Sequence, residues 1–386
     1  MKKIICRFLS LTLALSMLLG LTACGEKAPA KETDVSQTAQ TDEAASGGTK
    51  QLVRGTGDLA QATAQGEMDA NPNRAIKRAA EPTKQSVGCM LDGTPLGGEF
   101  YLYRETLSEQ YKQAYDVIRA GILKAEPSIE MTVPVSMDDI FNIYLMVIYD
   151  SPEFFWVETT LTYYYNWENY VTSLEPVYND LAADIPGNTA IVEAAAARAL
   201  ADMWSLESDL ARAKYAHDYL TQFNDYISGC RHNQDLYSSL VNGETVCAGY
   251  ARAFMYLMEK MGIRCAYVVG DAGGSHAWNL VELDGKFYNM DVTWDDPIGA
   301  TPREYYYDYF NITDEQISSD HTRDELSVLL PQATDTSKSF WNAYGEYEDY
   351  GTDFGAIQGV LPKTAAAQNA DSGETAALIE GNSYLS

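Results

Sequence analysis

Three side chains in the middle of this 386-residue chain have the types and order for nucleophilic chemistry: Cys247, His276 and Asp291. A thiol attacks a carbonyl carbon as its thiolate, so it needs a base beside it. An imidazole can take the thiol proton and later give one to the leaving group. A carboxylate on the far side of the ring fixes its tautomer and steadies the imidazolium. Each residue also has an ordinary reading. Cys247 would be a small buried residue, His276 a satisfied structural histidine and Asp291 a solvated carboxylate at a strand end. The local structure expected around them decides between the two.

The segment Gly243-Glu244-Thr245-Val246 has turn character, and Tyr250, Ala251, Phe254, Leu257, Met258 and Met261 follow at the spacing of a buried helical stripe, closed by Gly262. Cys247 therefore falls in the first turn of a helix, where free N–H groups and the macrodipole stabilise an anion. Arg264 to Val269 reads as a strand and Gly270 to Ser275 as a loop. Two further runs, from His276 to Leu283 and from Lys286 to Val292, flank Asp284-Gly285, a type I′ hairpin signal. A two-residue loop pairs Leu283 with Lys286. The same register sets Trp278 opposite Asp291 and His276 opposite Thr293. His276 and Asp291 then share one sheet face as diagonal neighbours, roughly 7 Å apart at the backbone. The hairpin alone brings a carboxylate to an imidazole.

The stretches Val246-Cys247-Ala248-Gly249-Tyr250-Ala251, Ser275-His276-Ala277-Trp278-Asn279 and Tyr288-Asn289-Met290-Asp291-Val292-Thr293-Trp294-Asp295-Asp296-Pro297 resemble the transglutaminase-like superfamily. The likeness is closest to bacterial lipoprotein members similar to the cytokinesis-associated branch. It is specific over about residues 210–312 and looser over 100–180 and 305–340. It implies an α+β fold with a papain-like core, in which a helix-borne cysteine packs on an antiparallel sheet. An α+β N-terminal region precedes that core. The resemblance also implies Cys247 as nucleophile, His276 as base and acid, and Asp291 as the residue that orients it. The calcium sites and β-sandwich domains of vertebrate-type transglutaminases have no counterpart here, which speaks against calcium-dependent crosslinking.

Tyr237 and Trp278 are candidates for lining the oxyanion or substrate site, with plain packing as the alternative for each. The Cys247 backbone N–H is the favoured oxyanion donor. Asp295 and Asp296 read as turn and surface acids, and His217, His232 and His321 as surface or structural. No Cys-x-x-Cys, His-Glu-x-x-His or close Cys/His ladder occurs, so neither a metal nor another cofactor is expected.

Around this core the chain divides by composition. Residues 1–23 combine Lys2, Lys3 and Arg7 with an apolar run from Phe8 to Leu21, a signal-peptide pattern. Leu21-Thr22-Ala23-Cys24 resembles a lipobox, which implies a lipid on Cys24 and attachment to the outer face of a bacterial cell membrane. No later run is long enough to span a bilayer. Residues 24–85, rich in Ala, Thr, Gln, Gly and Ser, read as a flexible tether. Residues 86–200 form the N-terminal α+β region. Helices are expected over Glu109–Gly121, over Ser136–Tyr149 with Ser136 as N-cap, and through the Ala-rich stretch Thr189–Phe223. Residues 201–312 form the catalytic core and 313–386 a C-terminal extension with a loose tail. Cys89, Cys230, Cys247 and Cys265 do not look like a disulfide scaffold, although pairing among the last three is open.

With 55 acidic and 27 basic side chains the formal charge is -28, which argues against nucleic acid. The expected function is a lipid-anchored, extracytoplasmic cysteine acyl-transfer enzyme acting on a protein or peptide substrate, in the cell wall among other places. Water as acceptor would make it a peptidase or amidase, and an amine would make it a transglutaminase. The alternative is a surface binding or wall-organising module that keeps the fold without catalysis.

Overall fold

The computed structural model describes residues 51–54, 62–68, 88–89, 95–96, 100–296 and 306–345. The signal-like segment, the expected lipidation site Cys24 and the expected loose tail beyond 345 lie outside these residues.

The N-terminal half builds a five-stranded sheet. Its strands, in chain order, are β1 (Gln51–Arg54), β2 (Thr63–Met68), β5 (Ile129–Glu130), β6 (Val157–Tyr165) and β7 (Val171–Tyr178), and β3 (Gly88–Cys89) and β4 (Pro95–Leu96) form a separate short pair. The spatial order is β1-β2-β6-β7-β5. β6 ends in the aromatic run Tyr163-Tyr164-Tyr165 and pairs antiparallel with β7. β2 corrects the tether reading, because it pairs in parallel with β6 from Thr63↔Thr160 to Met68↔Tyr165. Its sequence, TAQGEM, has little apolar side chain to announce a strand. Gly66 is small because a Cβ there would meet the Tyr163 ring at 2.7 Å.

Helices α2 (Glu109–Leu123) and α3 (Ile140–Tyr149) pack on each other and reach this sheet through β5 and β6, while α1 (Leu102–Thr106) packs on both helices and on a strand of the second sheet. The α3 expectation needs correction at its start. Ser136 is not the N-cap; its Oγ accepts from the Asp138 N–H four residues before the helix, and its backbone bridges to Tyr170. The Ala-rich stretch also divides into two helices, α4 (Ile185–Leu200) and α5 (Asp209–Phe223). Asp184 and Ser208 each cap one of them, so local side-chain oxygens set two starts where propensity alone suggests one helix.

The second half holds a short parallel pair, β8 (Asp225–Tyr226) with β9 (Glu244–Thr245), then α6 (Cys247–Lys260). An antiparallel sheet follows, with strands β10 (Cys265–Asp271), β11 (Ser275–Leu283), β12 (Lys286–Met290) and β13 (Thr322–Arg323) in the order β12-β11-β10-β13. The hairpin register is the expected one, from Leu283↔Lys286 to Asn279↔Met290. Asp284 and Gly285 both have positive φ, as a type I′ turn requires. Two short helices, α7 (Asp314–Ile317) and α8 (Phe340–Tyr344), complete the described chain. Thr313 and Gln316 form a full capping box on α7. The fold is α+β. One apolar core runs from Ala64 to Phe340, so regions that differ in composition share an interior. No helix among the described residues is long and apolar enough to cross a membrane.

Candidate active site

α6 is the central helix, buried along its length. Its N-terminus is placed by close backbone approach. A Cβ at Gly249 would meet Thr245 Oγ1 at 1.8 Å and the Asp235 carbonyl oxygen at 2.9 Å, so only glycine lets the first turn sit there. Thr245 Oγ1 in turn donates to the Asn233 carbonyl and bonds Ser238 Oγ. The helix is tied to the sheet by Asn279, whose side-chain amide donates to the carbonyls of Ala251 and Ala266. Cys247 is the first residue of α6, after the N-cap Val246. Helix and sheet therefore fix the thiol and imidazole as one unit.

The hairpin delivers the pair it promised. His276 Nε2 lies 2.6 Å from Asp291 Oδ2, and both side chains are buried. A carboxylate only accepts, so Nε2 carries the proton. Cys247 also acts on this ring, and with Nε2 held by Asp291 the nitrogen left for the thiol is Nδ1. Burial opposes a charge on this ring, but the Asp291 charge and hydrogen bond, together with Cys247, push its pKa up to about 10. The shift favours the protonated ring. Asp291 is fully committed. Its Oδ1 accepts from the backbone N–H groups of Thr293 and Trp294 at 3.0 and 3.1 Å. Burial opposes its charge, yet His276 and His321 hold its carboxyl well below the usual range.

His321 is the residue that sequence reading placed elsewhere. It is buried and its Nε2 lies 3.0 Å from the same Asp291 Oδ2, while its Nδ1 lies 2.6 Å from Asp320 Oδ1. It precedes β13, which joins the sheet through Gly270↔Arg323, and Gly270 is itself opposite His276. The site thus extends past residue 312 into what composition marks as an extension.

A second correction concerns Asp295. It is buried, accepts from the Tyr309 N–H at 3.0 Å, and faces His217 Nε2 at 3.1 Å. His217 Nδ1 faces Asp218 at 3.1 Å, and Tyr307 stacks on the ring. Burial disfavours the His217 charge, but these two carboxylates outweigh it and push its pKa up to about 9. Asp296 accepts a 2.5 Å bond from the Tyr250 hydroxyl of α6. These acids brace the turn after Asp291 and do not merely decorate the surface.

Trp278 stacks on His276 at 6.1 Å between ring centres and turns its edge to His321 at 5.2 Å. Its indole N–H donates to Asn289 Oδ1. It covers the ion pair on the core side. Tyr237 is different: it packs against Phe155 at 5.7 Å and its N–H donates to Asp235, so its described contacts are structural. The aromatic hydroxyl at the nucleophile belongs to Tyr226, which hydrogen-bonds the Cys247 main chain. The β8–β9 pairing sets Tyr226 opposite Thr245, two residues before the thiol. Tyr226 and Trp294 are each about one-third exposed (both 36%) and give the site its solvent-facing aromatic walls. Tyr226 and Thr245 lie 19 positions apart in the chain, and their pairing left no sequence signal for Tyr226.

Cys230, Cys247 and Cys265 are free thiols, which removes the disulfide alternative among them. Donor atoms of His276, Asp291 and His321 lie within 4.8 Å of one another. Their mutual separations of 2.6 and 3.0 Å are those of hydrogen bonds already made.

Residues 197–292 match the model of the transglutaminase-like superfamily. No curated protein matches the chain. Among solved structures, a proposed cysteine protease from Cytophaga hutchinsonii is similar at 12% identity and TM-score 0.26, over 40% of this chain and 55% of that one. A TGase is similar at 12% identity and TM-score 0.26, over 51% of each chain. Menin, in the structure that reveals its binding site for the Mixed Lineage Leukemia protein, is similar at 13% identity and TM-score 0.27, over 68% of this chain and 52% of that one. The chain spans about half the length of each.

Proposed function

We propose that this transglutaminase-like core works as a cysteine acyl-transfer enzyme with Cys247, His276 and Asp291 as its triad. The observation that carries this is the buried 2.6 Å bond between His276 Nε2 and Asp291 Oδ2, with Cys247 acting on the same ring from the start of α6. In the first half-reaction the Cys247 sulfur attacks an amide carbonyl carbon and the C–N bond breaks. His276 gives its proton to the departing amine, leaving an acyl thioester. In the second, water or an amine attacks the thioester carbon, His276 takes the nucleophile's proton, and the thiol is restored. The Cys247 N–H at the start of α6, with the Tyr226 hydroxyl beside it, faces the charge that forms on the carbonyl oxygen.

Peptide or amide hydrolysis is favoured over crosslinking, and the acidic surface favours basic or neutral peptides. The signal-like N-terminus and Cys24 support export and lipid attachment to the cell membrane, with an envelope protein or peptide as substrate. The test is incubation of the purified protein with a glutamine-containing protein and a labelled primary amine, read by mass spectrometry. Label uptake means transfer to amines, chain cleavage means hydrolysis, and both must vanish in Cys247→Ala. Activity that survives Cys247→Ala overturns the assignment.

One observation favours a second reading. Cys247 and His276 are only 5% and 7% exposed, a closed arrangement that also suits a binding or wall-organising module that does no chemistry. Thiol alkylation separates the two. A Cys247 that reacts no faster than free cysteine across pH 5–9, and is indifferent to His276→Ala, favours the binding module.

A further inference from the structure

Asp291 does not end the chain of charges that starts at Cys247. Behind it stands His321, and behind His321 stands Asp320, whose side chain is one-third exposed (33%) at the surface. His276 and His321 both reach the same oxygen, Oδ2, at 2.6 and 3.0 Å. We propose that His321, anchored by Asp320, is a positioning residue that fixes Asp291 against His276 and shares its charge, extending the triad to five side chains. This rests on the acyl-transfer reading for its purpose, though not for its geometry.

The packing supports a fixed His321. Trp294 lies 4.6 Å from its ring, Tyr309 5.4 Å, Trp278 5.2 Å and His276 5.3 Å between centres. The Tyr309 hydroxyl donates to Asp320 at 2.8 Å, which holds the anchor in turn. His321 Nδ1 bonds Asp320 Oδ1 and its Nε2 bonds Asp291 Oδ2, so the imidazole cannot turn away without losing both bonds. β13 sets the residue there. A Cβ at Gly270 would meet the Thr322 carbonyl oxygen at 2.0 Å and the Trp278 ring at 2.7 Å, so glycine is what allows the strand after His321 to close on the sheet.

The titratable groups that face this arrangement are Asp291, Asp320, His276 and Tyr309, with Asp295 acting on Asp291 from the following turn. A donor on Oδ2 draws on the lone pairs that would otherwise serve His276. Loss of that donor leaves more of the Asp291 charge on His276 and makes it more basic. The direction is the same whether His321 acts through its proton or through a positive charge.

The chain has four histidines, so their ring signals can be assigned by deletion and followed by NMR in the full-length protein. His321→Phe removes the donor while keeping a planar ring. The His276 midpoint is expected to rise by about half a pH unit or more, and the pH profile of Cys247 alkylation by iodoacetamide, followed on the Cys247 peptide, should move with it. His321→Gln, whose amide nitrogen takes the place of Nε2, should restore both. Asp320→Ala acts at a part-exposed position and should give a smaller shift in the same direction, which keeps the test open if the Phe variant does not fold. A folded His321→Phe or Asp320→Ala protein with an unmoved His276 midpoint overturns the proposal, as does a Gln variant shifted as far as Phe. Failure of the acyl-transfer reading looks different: wild-type Cys247 would be unreactive and indifferent to His276, whatever His321 does.

Discussion

His276 Nε2 and Asp291 Oδ2 are 2.6 Å apart in the interior, and that single bond decides which nitrogen of the imidazole meets Cys247. A carboxylate cannot donate, so it holds the Nε2 proton and leaves Nδ1 as the nitrogen that exchanges a proton with the thiol. Asp291→Asn keeps the shape but can turn an amide N–H toward Nε2 and select the wrong tautomer. Activity is expected to fall by about 10³–10⁴-fold, measured as kcat on whichever substrate the amine-labelling assay identifies. A loss of less than tenfold would mean that Asp291 does not set the ring.

Tyr226 hydrogen-bonds the Cys247 main chain where an oxyanion would form. Tyr226→Phe removes one hydroxyl and keeps the aromatic wall. If that hydroxyl donates to the developing charge, kcat should fall by about 10²-fold while the rate of Cys247 alkylation stays unchanged. Equal loss in both measurements would show instead that Tyr226 merely shapes the thiol's surroundings.

The pH dependence has a defined sign. The folded pKa of His276, about 10, lies above its ordinary 6.5. Its stabilising contribution is therefore complete below pH 6.5 and disappears as pH rises through 10. Denaturant unfolding of wild type and His276→Gln across pH 6–11 should show a stability difference that is largest near pH 6 and shrinks toward pH 10. A difference that stays flat would contradict the buried imidazolium.

Gly249 is held by the close approach of Thr245 and Asp235 to the first turn of α6. Gly249→Ala would help an isolated helix, but here its methyl must displace the segment that positions Cys247. Net destabilisation of about 1–3 kcal/mol is expected, together with slower alkylation of Cys247. Thermal unfolding and alkylation on the same sample test this. A stabilised variant would show that the approach has room to give.

Much of this site could be read from the chain because its parts are local. The Asp284-Gly285 turn has one favoured geometry, and a two-residue loop sets the register as far as Asn279↔Met290, which brings Asp291 at the end of β12 to His276 on β11. The stripe that begins at Tyr250 required a helix, and Cys247 had to stand at its start. The capping box at Thr313 is local for the same reason.

What sequence could not show depends on contacts between distant segments. β2 has too few apolar side chains to announce itself and exists through its pairing with β6, about 97 residues away. Asp295 and His217 look like ordinary polar residues until the fold buries one against the other. His321 looks like a surface histidine in an acidic run, and only the pairing of β13 with β10 carries it to Asp291. The sequence by itself determined where Cys247, His276 and Asp291 stand, because helix spacing and hairpin register act over a few residues. Tertiary structure alone decided that Tyr226 stands beside Cys247 and His321 behind Asp291, because burial and strand pairing across long stretches of chain leave no periodic trace in it.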